Sequence, residues 1–389
     1  MTKKNARAAP RSNGEPASSP DPAAHRAADG TPPPGNAALS PADALAYPGT
    51  LLSPDGKLVA PYDLECAPAA HPHGHAGAAA RVGLLHAASR PFTLDYAAIS
   101  AVHVVNGMGV ALGDSVVGIT ALTAIRAAHA HLRVVLYRPA HTPGYVDALY
   151  RLAAGASVIA PPRALPWPAA ALPSGARDAR IDLGNHLYWP AFAATPMIDF
   201  FLSALGVPPE SVPASAKRNR WLAGLALPEL PPAWHGRRYV LFCARASTPL
   251  RSIPATQRAA LVDRLARIYR LPVLGFEPID HPDYVDVSSY CTDTGQFIGW
   301  VKHARAVFSV DTAAVHLADG FDVPTLALFS SIPPGLRARD YPHCTSVTLD
   351  LPDALRSRHA SDRLDDLAQL EAAYRRIDWD ALAWPRPRD

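Results

Sequence analysis

The chain has 389 residues, 49% of them hydrophobic, with 41 prolines, 24 glycines and a net charge of only +3 from 37 basic and 34 acidic side chains. That length exceeds the roughly 250–300 residues at which a single hydrophobic core stops growing, so two cores are expected. The balanced charge, with Lys and Arg scattered rather than striped, argues against nucleic acid as a partner, and no window approaches the ~20 apolar residues that span a bilayer.

Residues 1–42 begin basic and continue rich in Pro, Ala, Ser and Gly, which reads as a disordered leader without a signal-peptide core. From 43 to 98, short broken patterns around Pro-Gly and Asp-Gly turns suggest an accessory region of small strands. His71, His73 and His75 in HPHGH have metal-ligand chemistry, although a polar surface loop is the plainer reading. Cys66, Cys243, Cys291 and Cys344 are too widely spaced to form a compact ligand set. The expectation is therefore no metal site, and a cytoplasmic protein whose thiols stay reduced.

Regular alternation starts with AVHVV (101–105), a buried strand, followed by the glycine-rich loop NGMGVALGD (106–114). Gly107, Gly109 and Gly113 have neither the dinucleotide-fingerprint nor the P-loop spacing. A helix is expected at 115–129, strands at 132–138 and 156–160 around a helix at 142–155, then a strand at 179–184 and a helix at 197–207. Asp114 falls at the mouth between strand and helix. Its plain job there is helix N-cap; its sharper one is a carboxylate facing a cleft, able to take a proton from an incoming hydroxyl.

These units form a first α/β domain at 99–210. Residues 211–238 are proline-rich and read as the crossing between domains, with Lys217, Arg218 and Arg220 clustered as on a solvated linker. A second domain at 239–360 runs RYVLFCA (strand), ASTPLRSIP (polar loop), ATQRAALVDRLARIY (helix), LPVLGF (strand), TGQFIGWVKHA (helix) and AVFSV (strand). Gln296, Phe297 and Trp300 lie on the last of those helices, where an aromatic pair three apart reads as core rather than pocket lining. SVDTAAVHLADGFDVPTLALFS (309–330) then gives strand, polar turn, helix, strand. It puts Asp311, Thr312 and His316 where parallel sheets grip anions, so a nucleotide or sugar phosphate is the first ligand to consider. Residues 361–389 read as an amphipathic helix and tail, of a kind that packs back on one domain, with a partner-binding helix as the alternative. Two successive βαβ series predict an α/β fold of two Rossmann-like sheets facing a central cleft.

Gly113-Asp114 followed by VDTAAVHLADGFDVPTLALF (310–329) resembles glycosyltransferase family 9, the ADP-heptose:lipopolysaccharide heptosyltransferases of GT-B type, over about residues 101–329. The loop NGMGVALGDSVVG is similar to the branch that places heptose on autotransporter adhesins. The resemblance implies an inverting transfer of a sugar, heptose from ADP-heptose above others, to a surface glycan or adhesin protein. It assigns Asp114 as catalytic base, with Gly113 beside it among the ligand-binding positions, and Arg251 as the cation that neutralises the donor phosphates. Ser247 and Thr248 would hydrogen-bond those phosphates, Thr312 and the amides through Ala313 would hold the diphosphate, Asp311 would contact sugar hydroxyls, and His316 would support the pocket. The family has glycine where this chain has Ala313, whose methyl would press on a phosphate approaching the backbone.

Neither loop has an Asp-x-Asp pair. Metal-independent turnover without a bound cofactor is the expectation, the sugar nucleotide being a substrate. A UDP-sugar epimerase and a non-catalytic assembly protein of the same fold are the alternatives. Oligomeric state and transient contact with an inner-membrane surface stay open.

Overall fold

The computed structural model describes residues 38–71 and 73–389, so most of the leader expected at 1–42 lies outside the described residues. Helix α1 (Pro41–Ala46), strands β1 (Leu51–Leu52) and β2 (Lys57–Val59), helix α2 (Pro61–Cys66), strand β3 (Ala76–Gly77) and helix α3 (Ala78–Val82) make up the accessory region. Then come β4 (Ala101–Val105), α4 (Leu112–Ala128), β5 (Arg133–Arg138), α5 (Gly144–Gly155), β6 (Arg163–Ala164), β7 (Trp167–Pro168), β8 (Asp178–Asp182), α6 (Pro190–Ala194) and α7 (Met197–Ala204). After a run of 3-10 turns, the second series is β9 (Val240–Cys243), α8 (Ala255–Tyr269), β10 (Val273–Gly275), β11 (Tyr284–Asp286), α9 (Thr294–His303), β12 (Ala306–Val310), α10 (Ala313–Gly320), β13 (Thr325–Phe329), β14 (Cys344–Thr348) and α11 (Leu364–Arg376).

The fold is mixed α/β with two parallel sheets. One has the order β6-β5-β4-β8, the other β11-β10-β9-β12-β13-β14, and every neighbouring pair in both is parallel. A small antiparallel sheet, β3-β1-β2-β7, is built by the accessory region together with β7.

The apolar runs are continuous because each parallel sheet is covered on both faces. Along β4, Val102 and Val104 point into a core shared with α4 and α7, while Val105 packs on the other side with Leu58 and Tyr137 under the accessory sheet. Along β9, Leu241 and Cys243 join the first of those cores, and Val240 and Phe242 face a second one closed by Leu261 and Leu265 of α8 and Leu370 and Tyr374 of α11. The C-terminal helix therefore packs back on the second sheet. Each of these fully buried side chains contributes about 1.5–3 kcal/mol by leaving water.

Three features depart from the sequence reading. No strand forms at 156–160: Ser157 turns to φ 59, Val158 N–H bonds back to Ala153 as a helix end, and Pro161 and Pro162 follow, so only Ile159 is buried and the run touches β5 through the bond from Ala160 N–H to the Val134 carbonyl at 2.9 Å. Residues 211–238 are not a loose crossing, because Trp221 and Leu222 enter the first core and Asn219 has no exposed surface. The basic cluster there is ion-paired: Lys217 to Asp199 at 2.7 Å, Arg218 to Asp319 at 2.8 Å and to Asp322 at 2.6 Å, and Arg220 to Asp322. No helix among the described residues is long and apolar enough to cross a membrane.

Candidate functional site

In the first sheet the chain reverses its direction of strand addition between β4 and β8, and the loops leaving those two strands must splay apart. The loop after β4 is tightly coiled, with Asn106, Met108 and Gly109 at φ 51, 68 and 69. Arg138, buried and 3.6 Å over the Tyr150 ring, donates from Nη1 to the Gly107 carbonyl at 2.9 Å and holds the loop in place. A side chain at Gly109 would sit 2.7 Å from His186 Cε1, so only glycine fits.

Helix α4 begins earlier than its pattern suggests, with Ala111 at the N-cap and no side-chain cap bond. Asp114 is thus the third helical residue and not the cap. Its carboxylate is turned instead toward His186, Oδ2 to Nε2 3.4 Å, and its side chain is 15% exposed. His186 leaves β8 and is boxed by the rings of Phe192, Phe201 and Phe200 at 4.6, 5.3 and 5.8 Å. Burial pushes the Asp114 carboxyl up, but His186, Arg337 and His359 together outweigh it and hold the group below the ordinary carboxylate value. The positive end of α4 acts in the same direction.

The second sheet reverses between β9 and β12. From the loop after β9, Arg251 reaches Asp311 Oδ2 with Nη1 at 3.0 Å and Ser247 Oγ with Nη2 at 2.6 Å. Thr248 Oγ1 donates to the His359 carbonyl at 3.1 Å, tying this loop to the segment before α11. After β12, Asp311 is buried, Thr312 occupies the N-cap of α10 with its hydroxyl making no cap bond, and Ala313 opens the helix. Burial raises the Asp311 carboxyl, while Arg251 and Arg337 more than reverse that.

His316 lies one turn on, its Nδ1 2.8 Å from the Tyr341 hydroxyl. Asn219 Nδ2 donates to that same hydroxyl at 2.9 Å; where the phenol in turn donates to Nδ1, the imidazole hydrogen is on Nε2. Burial pulls this imidazole down to about 4 against the attraction of Asp311 and Asp114.

The two reversal points meet. A Cβ at Gly113 would lie 3.1 Å from His316 Cδ2 and 3.8 Å from Ala313 Cα, so α4 and α10 abut at their N-terminal ends. Asp114 and Gly113 are therefore brought together with Arg251, Asp311, Thr312, Ala313 and His316, with Ser247 and Thr248 at the outer rim. Three further residues arrive that the motifs did not include: His186, Arg337 and His359. The last stacks on Phe192 at 6.2 Å, and burial, with Arg337 and Arg251, brings its imidazole down to about 4.

Other singled-out residues stand apart. Trp300 is core, Phe297 packs edge-on against Phe276 at 5.1 Å, and Gln296 lines a separate cavity of about 350 Å³ with Glu229, His235 and Tyr290. His71 and His75 lie just before β3, with ring centroids 6.4 Å apart. Among the described residues no three His, Cys, Asp or Glu side chains converge as a metal-ligand set, and all four cysteines are free.

No family model matches the chain, and no curated protein matches it. Solved structures similar to it are heptosyltransferases and a family 9 glycosyltransferase. The E. coli heptosyltransferase WaaC with ADP is 13% identical and covers 71% of this chain and 98% of its own at a TM-score of 0.40. The family 9 glycosyltransferase from Veillonella parvula is 14% identical, over 66% of this chain and 87% of its own, at 0.39. The dodecameric iron-containing heptosyltransferase TibC in complex with ADP-D-beta-D-heptose is 13% identical, over 65% of this chain and 63% of its own, at 0.42.

Proposed function

We propose that the protein is an inverting glycosyltransferase of GT-B arrangement that moves a sugar from a nucleoside diphosphate donor, ADP-heptose above others, to a hydroxyl of a surface glycan or adhesin. The observation that carries this reading is the meeting of the two reversal points, which sets a carboxylate, Asp114, against a helix start furnished with arginine and a histidine N–H. Residues 99–210 would receive the acceptor and 239–360 the donor, with 211–238 packed between them. A non-catalytic relative is the reading that Ala313, in place of the family's glycine, would favour, and the joint presence of Asp114 and Arg251 argues against it.

In the reaction, the acceptor oxygen attacks the anomeric carbon while its proton passes to Asp114. The new C–O bond forms as the bond to the donor phosphate breaks, and that electron pair leaves on the nucleoside diphosphate. One displacement inverts the anomeric centre. Negative charge grows on the phosphate oxygen at this step, and Arg251, the amides at the start of α10 and His316 Nε2–H stabilise it most in the transition state. These groups do the work that a divalent ion does elsewhere, so the proposal includes metal independence.

Calorimetric titration with ADP, UDP and GDP, on wild type and Arg251→Ala, tests it. Selective ADP binding weakened by the substitution, together with glycosyl transfer from ADP-heptose abolished by Asp114→Asn, supports the reading. Binding of none of the three would sink it.

A further inference from the structure

Arg337 is the cation of the cleft that the protein leaves unmatched. It follows β13 and the 3-10 turn Pro334–Leu336 and is only 7% exposed. The one hydrogen bond of its side chain among the described residues runs from Nη1 to the carbonyl of its own neighbour, Leu336, at 3.2 Å. No carboxylate lies within ion-pair distance of it among the described residues. The contrast with its neighbours is plain: Arg251 has Asp311 at 3.0 Å, Arg218 has Asp319 at 2.8 Å and Arg339 has Asp199 at 2.6 Å.

The guanidinium is held 5.4 Å over the Phe192 ring, among Asp311, Asp114, Arg251 and Tyr341, each close enough to act on its charge. Asp311 is already engaged by Arg251, and the Asp114 carboxylate lies against His186 with Oδ2 3.4 Å from Nε2. A buried, unpaired charge is held at a cost in stability that a bound anion removes. The Arg251 charge is half-spent on Asp311 before any ligand arrives, so a diphosphate needs a second cation.

We propose that Arg337 is that second cation, a direct ligand of the donor diphosphate together with Arg251. The planar fork suits two phosphate oxygens at once. This rests on the nucleoside diphosphate reading, and the test separates the two.

The probes are inorganic pyrophosphate, inorganic phosphate and ADP, titrated calorimetrically into the full chain as wild type, Arg337→Gln and Arg337→Lys, each checked for folding by circular dichroism. Arg337→Gln is expected to weaken pyrophosphate and ADP by about tenfold or more, and phosphate much less, because loss of one charge-assisted bidentate contact falls on the second phosphate. Arg337→Lys, which keeps the charge and loses the fork, should fall between. Should Arg337→Gln fail to fold, Arg337→Lys decides: pyrophosphate affinity equal to wild type overturns the assignment, and a severalfold loss supports it. Folded Arg337→Gln that binds pyrophosphate as wild type does overturns the role of Arg337 alone. Wild type that binds neither pyrophosphate nor any nucleoside diphosphate overturns the proposed function and this inference with it.

Discussion

Acidification should destabilise the protein through His316, and a substitution there should remove that sensitivity. The imidazole is ordinarily about 6.5 and falls to about 4 in the fold, burial being the main cause. Above about pH 6.5 it is neutral in both states and its contribution to stability is complete. As pH falls toward 4 the unfolded chain takes up a proton that the folded one refuses, and stability is lost through that window. At ~1.4 kcal/mol for each tenfold change the full gap is worth roughly 3 kcal/mol, most of which is gone by pH 4.5.

Urea unfolding of wild type and His316→Asn at pH 7.5 and 4.5 measures it, because the acidic groups common to both cancel in the difference. At pH 7.5 the variant should be less stable by about 1 kcal/mol for the lost Tyr341 bond. Between the two pH values wild type should lose roughly 2–3 kcal/mol more than the variant. Parallel losses in the two proteins would refute the placement of a neutral, proton-refusing imidazole at the junction of α4 and α10.

Asp114→Asn should cut sugar transfer by roughly 10²–10⁴-fold in a radiolabel assay while leaving ADP affinity nearly unchanged; an unimpaired rate removes Asp114 as the base. Gly113→Ala puts a methyl 3.1 Å from His316 Cδ2, and thermal melts should report a loss of roughly 1–2 kcal/mol. Arg339→Ala breaks the pair with Asp199, whose carboxyl the contacts to Arg339 and Lys217 bring down despite burial, and should lower the unfolding free energy measured in urea by about 1 kcal/mol. Dialysis against a chelator should leave turnover unaltered, and a loss restored by one divalent metal would contradict the role given to Arg251.

The central strands were legible because burial on both faces leaves an uninterrupted apolar run that no solvent-exposed segment imitates. AVHVV, AVFSV and TLALF lie within their predicted bounds as β4, β12 and β13, and ATQRAALVDRLARIY is α8. The strands that escaped notice are short edges of their sheets. β11 has one buried residue, Tyr284, and two exposed ones, and β14 reads CTSVT with no buried position, so neither carries a period-two or apolar signal. Such strands exist because a neighbour offers an unsatisfied ladder, β10 to the one and β13 to the other. That is a nonlocal cause. The run at 156–160 failed in the opposite sense, apolar enough for a strand but turned by the end of α5 and followed by two prolines.

The site divides along the same line. Asp114, Arg251, Asp311 and His316 sit in loops or first turns directly after strong strands, where a polar residue is conspicuous, and for that reason they could be read one loop at a time. His186 also follows a correctly read strand, yet nothing in GNHLYWP marks it. Its importance depends on β8 pairing with β4 rather than with β6, which places the loops after β4 and β8 on either side of one crevice. Arg337 and His359 depend on still more distant placement, the returns after β13 and β14 reaching Phe192 on the far side of the cleft. Under the proposed function, a local pattern names the loop that would grip the ligand, and strand order sets the charge that would complete the grip. The least readable residue, Arg337, is therefore the one whose buried and unpaired charge points most directly to the proposed diphosphate ligand.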